Sequence, residues 1–364
     1  MTRFARIGQI SRWAGFYALL SGGLLYFTYK FYQPEGGGTD YYHYYAMYLR
    51  PLDFHQAGAP FIYRQVSALL THFIYQYGPY YYTHIFFSDA RFDQHVFFAA
   101  LLTNFLALLG CATVTAITAQ RLSPGLPQSA LLFAGAFCYL EFFAQQCGMG
   151  PITDGVAWLM MAIGFLGYVR GSLVTVALVM TVSILERETI PLMLGVIAGV
   201  GLVLSPDRRR FDAAVVVLAA AAFGAYFAMR TVWIPVAGAG GQTHLAGLLS
   251  GLSRWRRYAT KDIFFQDFLS QNLLILLGLT LAWRRLSRAS PLPKRVRQHI
   301  VALFATAAAM VFVCIAAEVS IGRIVTMLAP VAAPLLALAL FADEARPAQA
   351  DASVAAGAGE ARAT

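Results

Sequence analysis

Charged residues are scarce in this chain of 364 residues, since 12% are Asp, Glu, Lys or Arg whereas 59% are hydrophobic. The mean hydropathy is +0.60. A soluble domain needs a largely polar surface, so this composition excludes a soluble enzyme. The apolar residues also occur in uncharged blocks that approach or reach the roughly 20 residues a helix needs to cross a bilayer. We therefore expect an integral membrane protein.

Cysteine is equally scarce, and its spacing excludes the usual cysteine-based sites. The four cysteines lie inside or at the edges of apolar stretches, at Cys111, Cys138, Cys147 and Cys314. No CxxC pair or metal-ligand spacing is present, so no metal site is predicted. Small buried core residues are the expected role of all four, rather than disulfides.

The apolar blocks predict an all-α fold, a polytopic transmembrane bundle of about ten helices with a long first outer loop. The predicted helices span 13–32, 96–118, 129–146, 153–168, 173–185, 191–204, 212–229, 268–283, 300–317 and 324–341. Residues 1–342 form one transmembrane domain in this interpretation. Residues 343–364 are rich in Ala, Gly and Pro and are expected to be a disordered cytoplasmic tail.

The positions of the basic residues predict the orientation, because cytoplasmic loops carry an excess of Lys and Arg. Both termini share one side if the number of crossings is even. That side receives 16 of the 27 Lys and Arg residues, and the excess is consistent in the short loops. We expect a multi-pass protein of a bacterial inner membrane, with both termini cytoplasmic. The net charge of +9 is then explained by membrane orientation, and no nucleic-acid partner is expected.

The first outer segment, residues 33–95, opens with Asp40 on a glycine-rich turn and continues with many aromatic residues. An acid in this place can act as a general base, with rings that stack on a sugar or lipid. The alternative role of Asp40 is a helix N-cap, and the two roles are compatible. His43 and Arg64, in the same segment, are candidates for substrate binding.

The second outer segment, residues 230–267, carries Arg254, Arg256 and Arg257, against the positive-inside tendency. Fixed guanidinium groups near the outer interface can hold a phosphate through paired hydrogen bonds. Arg323, at the outer start of the last predicted helix, adds a further cation. Contact with anionic lipid headgroups is the alternative explanation for these arginines.

Acidic residues also converge at the outer ends of predicted helices. Two short motifs contain such acidic residues, and a third contains Arg323. These motifs are Thr153-Asp154-Gly155, Leu185-Glu186-Arg187-Glu188-Thr189, and Gly322-Arg323 followed by Pro330. With an Asp at the start of the first outer loop, this pattern resembles the GT-C superfamily of polytopic glycosyltransferases. Those enzymes transfer sugars from polyprenyl-phosphate donors on the outer face of the membrane.

By this resemblance, Asp40 is the catalytic base that deprotonates the acceptor. The phosphate that the four arginines named above can hold would then be the phosphate of the donor. Asp154, Glu186, Arg187 and Glu188 are then candidates for substrate binding. Family members often have a second acidic residue beside the first, whereas Tyr41 and Tyr42 follow Asp40 here. The cofactor is therefore left unknown, and a divalent metal stays open.

The resulting expectation is a glycosyltransferase that moves a sugar from a polyprenyl-phosphate-linked donor to an acceptor on the periplasmic face. Its partners would be that donor, membrane lipids, and a glycan, lipid or protein acceptor. Two other classes stay open: a transporter or lipid flippase, and a polysaccharide polymerase, ligase or acyltransferase. A transporter would place charge near the bilayer midplane, whereas the other enzymes would differ in donor chemistry.

Overall fold

A computed structural model of the chain describes residues 3–31, 41–58, 61–80, 92–146, 154–234, 294–317 and 324–341, and some positions within 272–284. All regular structure in these ranges is helical, as the sequence predicts. The helices are α1 (Arg3–Phe31), α2 (Tyr41–Leu49), α3 (Gln65–Tyr77), α4 (Gln94–Leu122), α5 (Gln128–Gln146), α6 (Asp154–Arg170), α7 (Leu173–Ser183), α8 (Thr189–Leu204), α9 (Arg209–Ala228), α10 (Lys294–Ala317) and α11 (Thr326–Phe341).

Within the described residues, three helical segments are long and apolar enough to cross a membrane: Gln94–Leu122, Pro206–Trp233 and Lys294–Cys314. Shorter apolar helices lie beside them, including α7 and α8. Several large apolar side chains point outward from the helices, among them Leu19 (86% exposed) and Val203 (75% exposed). Such side chains suit contact with hydrocarbon, in agreement with the predicted membrane protein.

Helix α4 lies centrally, because it packs against α1, α3, α5 and α6. Gly135 allows α5 to approach both α1 and α4 closely. A Cβ atom at this position would lie 2.2 Å from the Tyr17 ring and 2.7 Å from the Ala112 carbonyl oxygen. The Tyr17 hydroxyl donates to the Leu131 carbonyl oxygen at 3.2 Å, which joins α1 to α5.

One end of the bundle, which we call the basic end, holds the C-termini of α6 and α8 and the N-termini of α9 and α10. The Arg208 guanidinium donates to the Tyr168 carbonyl oxygen at 2.7 Å. The Gln298 side chain donates to the Leu204 carbonyl oxygen at 2.6 Å. Several basic residues of the predicted cytoplasmic loops therefore lie together at this end.

The opposite end, which we call the polar end, holds the N-termini of α3 and α6 and the turn between α7 and α8. A second core of mainly aromatic residues lies there, including Tyr41, Tyr44, Tyr63 and Tyr226. The sequence pattern predicts a loop from 33 to 95 and misses α2 and α3. Both helices are short, with 9 and 13 residues, and neither contains an apolar run of spanning length.

The close approach at Gly135 generates a test of this packing. Gly135→Ala should lower the melting temperature by several degrees, because the added methyl overlaps Tyr17 and backbone, and overpacking costs about 1–3 kcal/mol. Gly199→Ala in α8 is the matched control, since a Cβ atom added there would have no neighbour within 4 Å. That variant should keep or raise the melting temperature. Equal shifts for both variants, measured by thermal unfolding in detergent, would contradict the described packing.

Candidate functional site

The turn between α7 and α8 supplies the polar groups that join the elements of the polar end. Its Leu185 carbonyl oxygen accepts from the backbone N–H of Gln65 at 2.8 Å and of Val66 at 3.1 Å. The next residue, Glu186, accepts from the Ser67 backbone N–H at 2.8 Å and from the Ser67 hydroxyl at 2.5 Å. The turn therefore occupies three successive N–H groups at the start of α3.

This contact explains how α3 begins. The first N–H groups of an α-helix have no acceptor inside the helix. Arg64, at the N-cap position, makes no side-chain capping hydrogen bond. The carboxylate of Glu186, 119 residues from Ser67 in the sequence, takes the place of a local capping side chain. A negative charge at a helix N-terminus is also favourable.

Arg187, the next residue of the turn, forms a salt bridge with Asp154 at the first position of α6. Both side chains are buried, with 3% and 1% of their surfaces exposed. Removing one partner of a buried ion pair typically costs about 3–5 kcal/mol, because the other charge is left unpaired. The pair therefore constrains the turn relative to the start of α6.

Gly155 brings the start of α6 close to α4. Its backbone N–H donates to the Asn104 side-chain oxygen at 3.1 Å. A Cβ atom at Gly155 would lie 2.6 Å from that oxygen and 3.1 Å from the Asn104 carbonyl oxygen. The Asp154-Gly155 sequence thus combines an ion-pair partner with the small residue that the approach to α4 requires.

Arg64, whose charge acts on Glu186, lies in a largely aromatic setting. Its guanidinium donates to the Tyr44 hydroxyl and lies 5.6 Å from the centre of the Tyr44 ring. Phe61 lies at a similar distance from the guanidinium, 5.5 Å, and also stacks on His43 with ring centres 4.3 Å apart. Arg64 is buried, whereas His43 is exposed.

Sequence reasoning missed Arg230, a third buried arginine at this end. It lies in a π-helical turn, Met229–Trp233, and donates to the Tyr226 hydroxyl at 2.7 Å. The guanidinium is 5.2 Å from the ring centres of both Tyr63 and Tyr226. Within the described ranges no carboxylate is paired with it, and its Nε atom is buried without an acceptor. The sequence feature that could have identified Arg230 is its position as a lone arginine directly after a predicted apolar helix.

We call Arg64, Ser67, Asp154, Glu186, Arg187 and Arg230 the buried polar cluster. Burial raises the pKa of Glu186 from 4.5 to about 7, although its hydrogen bonds with Ser67 and the charge of Arg64 act in the opposite direction. Glu186 belongs to the turn and lies outside both flanking helices. Near neutral pH its carboxyl group therefore gains and loses a proton, which changes the net charge of the cluster.

The structure brings four predicted site residues into this cluster: Arg64, Asp154, Glu186 and Arg187. Glu188 belongs to the same turn but is only partly buried. His43 is described as well, but it is exposed and lies outside the cluster. The other predicted site residues lie outside the described residues, and they are Asp40, Arg254, Arg256, Arg257 and Arg323. In the described part of the chain, no three His, Cys, Asp or Glu side chains are grouped as metal ligands.

Comparisons with protein-family models, curated proteins and solved structures find no match to this chain. The function of this chain is therefore inferred from the chemistry of its own residues. At the polar end, buried guanidinium groups lie near carboxylates and against tyrosine rings.

The raised pKa of Glu186 predicts a pH dependence of stability. Between about pH 4.5 and pH 7, the folded protein keeps a proton that the unfolded chain has released. The free energy of unfolding should therefore fall as pH rises through this window and level off above it. Glu186→Gln removes the titration, so its melting temperature should lack this decrease.

Melting temperatures of both proteins in one detergent at pH 5, 6, 7 and 8 test this expectation. Glu188→Gln is the control, because it removes a carboxylate two residues away that is only partly buried. This control should keep the wild-type pH dependence. Parallel curves for wild type and Glu186→Gln would show that Glu186 titrates alike in the folded and unfolded chains.

Proposed function

We propose that the protein is a membrane glycosyltransferase of GT-C type, with a bundle of about ten helices. It transfers a sugar from a polyprenyl-phosphate-linked donor to an acceptor at the periplasmic face of a bacterial inner membrane. The observation that carries this proposal is the buried polar cluster, which lies at the end of the bundle opposite the basic end. Ionisable groups inside a membrane protein are costly and usually have a function.

Asp40 has the role of general base in this proposal. It directly precedes Tyr41, which is fully buried in the aromatic core of the polar end. The acceptor oxygen attacks the anomeric carbon and loses its proton to Asp40. The bond between that carbon and the donor phosphate oxygen breaks, and the phosphate leaves with the bonding electrons.

Arginine side chains stabilise the charge that develops on the leaving phosphate. We assign this role to Arg254, Arg256, Arg257 and Arg323, and we add Arg230 from the cluster. Arg230 supports the assignment because a tyrosine hydroxyl, rather than a carboxylate, is its hydrogen-bond partner. Its remaining N–H donors can therefore serve an anion.

The tyrosine rings beside the buried arginines support a sugar as the transferred group. Arg64 and Arg230 lie against the rings of Tyr44, Tyr63 and Tyr226, so aromatic faces and cations occur side by side. Aromatic rings stack on the apolar faces of sugars, while guanidinium groups bind phosphates. A sugar phosphate linked to a membrane lipid needs both kinds of contact.

The base assignment predicts that Asp40→Asn lowers sugar transfer by about 100-fold or more, because the substitution removes the proton acceptor at nearly constant volume. Transfer is measured with the purified protein in liposomes that contain polyprenyl-phosphate-linked sugars. Asp53→Asn is the matched control, since Asp53 lies in the same outer segment and accepts from the Gln56 side chain at 2.5 Å. The control should transfer at nearly the wild-type rate.

Retained transfer by Asp40→Asn at normal protein abundance would remove Asp40 from catalysis and leave it a capping role. Movement of the lipid-linked sugar across the bilayer without any transfer would instead favour a flippase. Transfer of a preassembled glycan or an acyl group, without use of single polyprenyl-phosphate sugars, would favour a polymerase, ligase or acyltransferase.

A further inference from the structure

A cavity of about 180 Å³ lies at the basic end, far from the buried polar cluster. Its walls come from the C-terminal parts of α6 and α8, the 3-10 turn Pro206–Arg208 and the first three turns of α10. Three of its lining residues are cationic: Arg208, Lys294 and Arg295. Asp207 is the acidic residue of the lining, so the cavity has an excess of positive charge.

Among the described residues, the cations of this cavity form no ion pairs. No salt bridge among the described residues involves Arg208, Lys294 or Arg295. Arg208 is held in place by its hydrogen bond to the Tyr168 carbonyl oxygen, and its guanidinium lies 4.7 Å from the Phe211 ring centre. The nearby Asp212 carboxylate accepts from the Tyr168 hydroxyl at 2.9 Å.

His299 adds a polar imidazole ring to the cavity wall. The side chain is 8% exposed, and its ring lies edge-on to Phe165 and Tyr168 at about 5.8 and 5.9 Å. None of the described residues forms a hydrogen bond with the ring. His299 is four residues after Arg295, so both side chains lie on one face of α10.

A shallower apolar groove of about 360 Å³ adjoins the cavity between α8 and α10. Lys294 and Gln298 line both the cavity and the groove. The apolar lining of the groove comes from Leu204 and Val301. Val301 is 41% exposed. Helix α8 is apolar along its length, and α10 becomes apolar after its first two turns. A cationic pocket therefore continues directly into an apolar groove on the outer surface of the bundle.

We propose that this cavity and groove form a binding site for an anionic phospholipid. The phosphate lies among Arg208, Lys294, Arg295 and His299, and one acyl chain follows the groove past Leu204 and Val301. The cations and the N-terminus of α10 both favour an anion at this place. The site is separate from the proposed sugar transfer and does not depend on it.

The test uses the purified full-length protein in a neutral detergent and dioctanoyl phosphatidylglycerol as the probe, with binding followed by native mass spectrometry. We expect one tightly bound lipid and at least tenfold weaker binding of dioctanoyl phosphatidylcholine. Lys294→Gln combined with Arg295→Gln should weaken phosphatidylglycerol binding about tenfold or more. Arg209→Gln combined with Arg210→Gln is the matched control, because it removes two exposed charges outside the cavity lining.

Equal losses in the two double variants would overturn the proposal in favour of diffuse attraction to a basic surface. Val301→Trp gives an independent test, because the indole fills the groove without changing the charge. This variant should weaken binding of phosphatidylglycerol but not of glycerol 3-phosphate. If glycerol 3-phosphate binds as tightly as the lipid, and Val301→Trp affects neither, the cavity binds a soluble phosphate compound and the lipid proposal is wrong.

Discussion

The polar end depends on one constraint: the turn between α7 and α8 must find partners for its polar groups within an apolar bundle. Three successive residues of the turn meet this requirement. The Leu185 carbonyl and the Glu186 carboxylate occupy the start of α3, and Arg187 pairs with Asp154 at the start of α6. An unpaired buried charge would cost several kcal/mol. The same contacts therefore position α3, α6 and the turn relative to one another, and they concentrate buried charge at the polar end.

The charged side chains at the two ends of the bundle have different environments. At the polar end, charged groups are buried in pairs or against tyrosines, where an apolar environment strengthens each interaction. Cations at the basic end line a cavity and its rim, and no carboxylate among the described residues is paired with Arg208, Lys294 or Arg295. Helices of spanning length connect the ends. This separation is the basis for assigning substrate chemistry to one end and lipid binding to the other.

Much of the helical fold could be predicted from the sequence, because apolar runs between charged or Gly and Pro breaks are strong signals. Each predicted helix has a helical counterpart, apart from 268–283, most of which lies outside the described residues. The short helices α2 and α3 were missed because tertiary contacts with α4 and the distant turn stabilise them. Ser67 and Tyr44 were missed for a similar reason. Their partners are set by side-chain packing in three dimensions, as in the pairing of Ser67 with Glu186 across 119 residues, and no local pattern encodes them.

The polar end and the basic end should lie on opposite sides of a membrane, and both site assignments depend on this arrangement. Single cysteines at His55 and Arg209, in a chain whose four native cysteines are replaced by alanine, test it directly. A membrane-impermeant thiol reagent is applied to right-side-out vesicles. We expect labelling of His55→Cys in sealed vesicles, and labelling of Arg209→Cys only after the vesicles are permeabilised. Labelling of both positions in sealed vesicles would contradict the opposite placement of the two ends.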